Sequence, residues 1–147
     1  MYTAPLRRPP SAWAPRTDHV QVDLVYDPTR QIHAEKPLRD EVRVDPLDEI
    51  MANKICTLVG RAEVRDFWDV FHLVERGQDL NIAIENASRK EGGVNVESLV
   101  YVLQSVDWPA FEAAMAEAGL SNGLTVAQYF QQACRDLATQ LLPNSGK

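Results

Sequence analysis

Three things are scarce in this 147-residue chain: cysteine, long apolar runs and any surplus of positive charge. The two cysteines, Cys56 and Cys134, share no spacing suited to zinc and cannot form the dense disulfide framework of a small secreted domain. Both fall inside helical apolar patterns and read as small buried apolar residues. No stretch of about 18 apolar residues is present to span a bilayer. The N-terminal segment also lacks the apolar centre of a signal peptide, so the expectation is a cytoplasmic protein with no membrane partner. The formal net charge of −6 excludes a broad basic face for non-specific nucleic-acid binding, though not a local basic pocket.

What is present suits one globular domain, since 45% of the residues are hydrophobic and 24% are charged. The cations are unevenly spread. Residues 1–76 hold 11 Lys and Arg against 13 Asp and Glu, and residues 77–147 hold 4 against 8, so a site for an anion belongs in the first half. Residues 1–18 are rich in proline and arginine without apolar period, which predicts an irregular entry segment. The rest, 19–147, reads as one unit with a strand region at 19–44 and a helical region at 45–142.

In the strand region "VQVDLVYD" alternates with period two. Val20, Val22, Leu24 and Tyr26 face one way and Asp23 lies on the other side, the pattern of a half-buried strand. "EVRV" at 41–44 suits either a second strand or the lead-in to a helix. From Asp45 the signals turn helical. Asp45 is a candidate cap, Pro46 fits a first turn, and Asp48 and Glu49 favour the positive end of the dipole. Ile50, Ile55, Leu58 and Val59 form the predicted apolar stripe, with Gly60 a stop or kink.

A second helix is predicted at 62–76, with Val64, Phe67, Trp68, Phe71 and Val74 facing the core. Further helices are expected at 80–90, 95–106, 109–118 and 125–142, with Asp79 and Asn95 as caps. In the last of them Val126, Phe130, Ala133, Leu137 and Leu141 form the apolar face. The fold class is α+β: one or two strands followed by a mostly helical bundle. His72 has no partner at zinc-like spacing and reads as a helix-flank residue.

The stretch "IMANKICTLVGRAEVRDFWDVFHLV" carries Lys54, Arg61, Arg65, Asp66 and Asp69. If one helix ran through Gly60, Lys54, Arg61, Arg65 and Asp69 would form a single stripe. A stripe of this kind commonly serves only as a solvated face with weak ion pairs. The same residue types also suit a place where a triphosphate and magnesium meet, because cations clamp phosphate oxygens while carboxylates hold metal or take a proton. Asp23 fits either a metal site or an ordinary exposed strand position.

The register of Ala52-x-Lys54, Leu58-x-x-Arg61 and Arg65-Asp66-x-x-Asp69 resembles the C-terminal signature of the AbiEii/AbiGii nucleotidyltransferases, toxins of type IV toxin–antitoxin systems. The resemblance implies a nucleotidyltransferase fold that moves a nucleoside monophosphate from a nucleoside triphosphate (NTP) to an acceptor such as tRNA, with Mg2+ and a cognate antitoxin as partner. It implies that Lys54 contacts the triphosphate, with Arg61 and Arg65 steadying phosphate or the helix pair. It further implies Asp69 and its neighbour Asp66 as catalytic carboxylates, and Asp23 as a metal-binding strand carboxylate.

Such enzymes also carry a Gly-Ser followed about ten residues later by Asp-x-Asp, which holds the metal ions. Neither motif occurs in these 147 residues. The resulting expectation is the C-terminal part of such a protein, incomplete as a catalyst. The alternatives are a non-catalytic helical module that binds an antitoxin or other protein, and an unrelated helical interaction domain.

Overall fold

The computed structural model describes residues 22, 24, 26 and 28–142. Among these residues a two-stranded antiparallel hairpin, β1 (Leu38–Arg39) and β2 (Val42–Arg43), precedes six helices. The helices are α1 (Leu47–Gly60), α2 (Val64–Glu75), α3 (Leu80–Lys90), α4 (Val96–Ser105), α5 (Trp108–Glu117) and α6 (Gly123–Gln140). The α+β class and the mostly helical bundle stand as expected.

The hairpin turns at Asp40 and Glu41, whose φ angles of 48° and 68° are the left-handed pair of a tight two-residue turn. Val42 and Arg43 lie inside the stretch expected to be strand or lead-in, whereas the partner strand β1 had no sequence signal. Of the alternating segment, Val22, Leu24 and Tyr26 are in no strand and are 75%, 96% and 88% exposed. The half-buried face expected of them is not formed among the described residues, where the one sheet is the β1–β2 hairpin. Val20, Asp23 and the segment 1–18, expected to be irregular, lie outside the described residues.

The helices form because apolar residues recur at helical spacing and the ends are capped. Asp79 accepts from the amides of Asn81 and Ile82, and Asp107 from that of Ala110. Asn95 and Ser98 form a reciprocal capping box. Asp45 is not the cap of α1: Pro46 holds that position without a side-chain bond, and Asp45 pairs with Lys36 instead.

α1 packs on α2, α3 and α4, while α6 covers α4, α5 and α2. The centre is aromatic: Phe67 of α2 meets Phe111 and Phe130 edge to face at 5.1 and 5.0 Å, with Trp108 at 6.1 Å. Around it Met51, Ile55, Leu58, Val70, Leu99, Leu103, Met115 and Val126 are fully buried. Met51 and Val70 lie outside the predicted stripes, while Ile50, Val59, Val64, Trp68 and Val74 sit at the rim, half-buried. Leu141 is exposed because α6 ends at Gln140. Cys56 and Cys134 are half-buried rather than buried.

A second polar structure ties the N-terminal strap to the bundle. Glu49 is fully buried in α1, and Lys90 at the end of α3 pairs with its Oε1. Its Oε2 accepts from the backbone amides of Ile32 at 2.8 Å and His33 at 3.1 Å. The His33 ring meets Asp48 at 2.6 Å. Glu49 and Asp48 thus pin residues 32–33 rather than merely facing the helix dipole.

Candidate functional site

The helix does not run through Gly60. α1 ends there, Ala62 takes a left-handed φ of 51°, and α2 starts at Val64. A non-glycine residue in that region is strained by about 1–2 kcal/mol, and here it reverses the chain. The single stripe is therefore replaced by convergence: Lys54 from α1 and Arg61 from the turn reach Asp66 in the first turns of α2.

Lys54 Nζ donates to Asp66 Oδ1 at 3.2 Å and lies 2.5 Å from Asp69 Oδ2. Arg61 donates through Nε to Asp66 Oδ2 at 2.9 Å and through Nη2 to Oδ1 at 3.2 Å. Asp66 is fully buried, and both its oxygens are taken. Lys54 is 26% exposed, Asp69 27% and Arg61 54%, so the network opens toward solvent at those three.

Electrostatics follow from this geometry. Burial by itself would raise the Asp66 carboxyl, but hydrogen bonds from Arg61 and Lys54, with their charges, outweigh it and hold the group below the usual carboxylate range. Burial would likewise lower the Lys54 ammonium, whereas Asp69 and then Asp66 raise it. Lys54 stays charged with two of its three N–H bonds directed at carboxylates, and one remains. Arg61 keeps the Nη1 end of its guanidinium for another acceptor.

Arg61 also lines a cleft of about 570 Å³ with Asn53, Cys56, Thr57 and Lys90, within the range of small-molecule sites. Arg65 is exposed and pairs with no carboxylate among the described residues. Asp23 lies outside the described residues. The structure thus brings together Lys54, Arg61, Asp66 and Asp69, and leaves Arg65 apart. Sequence reasoning missed Asn53 and Thr57 on the cleft wall and the Glu49–Lys90 pair. Only their helical spacing with Arg61 could have pointed to the first two, and nothing local signals the pair.

The donor set does not fit a resident magnesium ion. No group of three or more His, Cys, Asp or Glu among the described residues is placed to hold a metal, and Asp66 and Asp69 both face cations. No helix among the described residues is long and apolar enough to cross a membrane.

No curated protein and no solved structure is similar enough to this chain to count as a relative. The family model for the nucleotidyl transferase AbiEii toxin of type IV toxin–antitoxin systems matches residues 6–141, and membership of such a system implies a cognate antitoxin. With nearly the whole chain matched, the chain belongs to the AbiEii nucleotidyl transferase toxin family.

Proposed function

We propose that the Lys54–Arg61–Asp66–Asp69 network is the phosphate side of a nucleotidyl transfer site, taking the triphosphate of a magnesium–NTP. The observation that carries this reading is the bracing of Lys54 and Arg61 by one buried carboxylate. Two cations are held in fixed positions while each keeps an N–H free, and Arg61 stands at the wall of the cleft. Preorganised donors of this kind act on developing charge without reorganising during the reaction.

The two carboxylates then divide the work. Asp66, enclosed with both oxygens engaged, positions the cations. Asp69, partly exposed and bonded to Lys54, is the reachable carboxylate. When it turns to an acceptor hydroxyl, Lys54 is released toward phosphate. The acceptor oxygen forms a bond to the α-phosphorus, the bond to the β-phosphate oxygen breaks, pyrophosphate leaves, and the hydroxyl proton passes to Asp69. Arg65 lies outside the network, and a nucleotide role for it rests on family resemblance alone. Magnesium enters as the counterion of the triphosphate, and tRNA is the acceptor class suggested by the resemblance.

The Gly-Ser and Asp-x-Asp elements are not in the sequence, so the complete reaction draws them from another polypeptide segment. The test supplies a polypeptide bearing both motifs, α-labelled NTP and total tRNA. Label should reach RNA with the native chain and be lost with Lys54→Ala and with Asp69→Asn. Transfer that persists in Lys54→Ala would sink the role given to that lysine.

The second reading is a non-catalytic module that binds the antitoxin. It is favoured by the exposed row Val22, Leu24 and Tyr26, an apolar surface left uncovered by the described residues.

A further inference from the structure

A separate pocket of about 220 Å³ lies between the strap and the end of α3, and shares Lys90 with the larger cleft. It is lined by Arg30, Gln31, Ile32, Arg89 and Lys90, and by no carboxylate. Lys90 is already neutralised by the buried Glu49. Arg30 and Arg89 are not: neither pairs with a carboxylate among the described residues, and the one polar contact of Arg89 is a long 3.5 Å bond to Asn86 Oδ1. Both residues are exposed.

Ordinary surface arginines are scattered, and a cation in the last turn of a helix is explained by its dipole. That explanation covers Arg89 and Lys90 but not Arg30, which arrives from another part of the chain. The strap is fixed where it stands by the Glu49 bonds to the Ile32 and His33 amides, two and three residues after Arg30. Gln31 is held too, its Oε1 accepting from Lys36 Nζ at 2.6 Å and its Nε2 donating to Thr29 O at 3.3 Å. The fold therefore places a second guanidinium at a pocket that already has one, in a protein whose net charge is −6. Like charges at a common concavity repel unless an anion lies between them. Two planar forks of N–H donors match the oxygens of a tetrahedral phosphoryl group in charge and in shape.

The geometry points to a phosphoryl-anion site formed by Arg30 and Arg89, distinct from the Lys54 network. It does not depend on the nucleotidyl transfer reading. The ligand chemistry is one phosphate group, supplied either by a small phosphorylated molecule or by a phosphodiester of a single-stranded polynucleotide.

The experiment is a titration of the full chain with inorganic phosphate at low ionic strength, followed by backbone amide NMR. The expected result is saturable shifts at residues 30–32 and 88–90, with the dissociation constant raised at least fivefold in R30S/R89S and unchanged in Lys54→Ala. As a charge control, R39S/R43S removes two exposed cations from the hairpin and should leave binding as it was. Equal binding in R30S/R89S, or an equal loss in R39S/R43S or in Lys54→Ala, overturns the site. A short oligoribonucleotide with a 5′-hydroxyl identifies the source. Binding tighter than inorganic phosphate through the same two arginines assigns a phosphodiester, and binding no tighter assigns a small phosphorylated molecule.

Discussion

Arg61 and Asp66 meet across the break between α1 and α2, the guanidinium gripping both oxygens of a carboxylate that has no exposure to solvent. One end of this pair faces water and the other is sealed, so the two partners differ in what their removal does. Asp66→Ala strands Lys54 and Arg61 without their common anion. We expect a loss of about 2–3 kcal/mol in urea unfolding, less than the 3–5 of a fully buried pair because half of Arg61 stays in water. Arg61→Ala leaves Lys54 on Asp66 and should cost less than Asp66→Ala. The reverse order would show that the carboxylate is not the hub.

Acid should weaken the fold through the same groups. Asp66, Glu49 and Asp48 are each held below their ordinary values, 3.8 for the aspartates and 4.5 for Glu49, because hydrogen bonds and neighbouring cations outweigh burial. A carboxyl depressed in the folded state adds stability above its unfolded pKa, and that stability drains as pH falls through the folded value. Urea midpoints should stay level from pH 7 to about 5 and drop below it, with a shallower drop in Asp66→Asn. A midpoint that climbs as the pH falls below 5 would contradict the assignment.

The Glu49–Lys90 pair predicts strong coupling. Lys90 is 2% exposed at its side chain and Glu49 is fully buried, so either partner alone is an unpaired internal charge. Glu49→Ala should destabilise by about 3–5 kcal/mol. Glu49→Gln combined with Lys90→Met keeps an acceptor for the Ile32 and His33 amides and should recover most of that loss. In the cycle of Glu49→Gln, Lys90→Met and their double variant, additive effects would mean that the two side chains do not interact.

Cys56 should be a poor nucleophile. Burial in the α1–α3 contact, with Glu91 nearby, pushes its thiol up to about 11, and the Cys134 thiol is raised as well, chiefly by burial. Reaction with a disulfide reagent at pH 8 should be much slower in the folded chain than in urea. Equal rates would show that the site is open.

The helices could be read because their signals are local. Asp79 and Asn95 sit at the caps that the sequence assigns, and α3 spans the predicted residues, since capping and apolar period depend only on neighbours. β1 was hidden because its turn uses Asp40 and Glu41 in place of glycine. The reversal at Ala62 was hidden for the same reason, and it changed a supposed stripe into a bracket around Asp66. The membership of Lys54, Arg61, Asp66 and Asp69 in one group was legible, but its geometry was not. The bond from Lys90 to Glu49 spans 41 positions, and no periodicity carries information over that distance.

The most direct measurement is calorimetric titration of the full chain with magnesium–NTP, native beside Lys54→Ala. Both proteins are first shown by circular dichroism to be folded at the temperature of the titration. If the braced lysine is the triphosphate contact, the variant should bind at least tenfold more weakly, about 1.4 kcal/mol. Equal affinities in the two proteins would contradict it and leave the charged network as a structural clasp between α1 and α2.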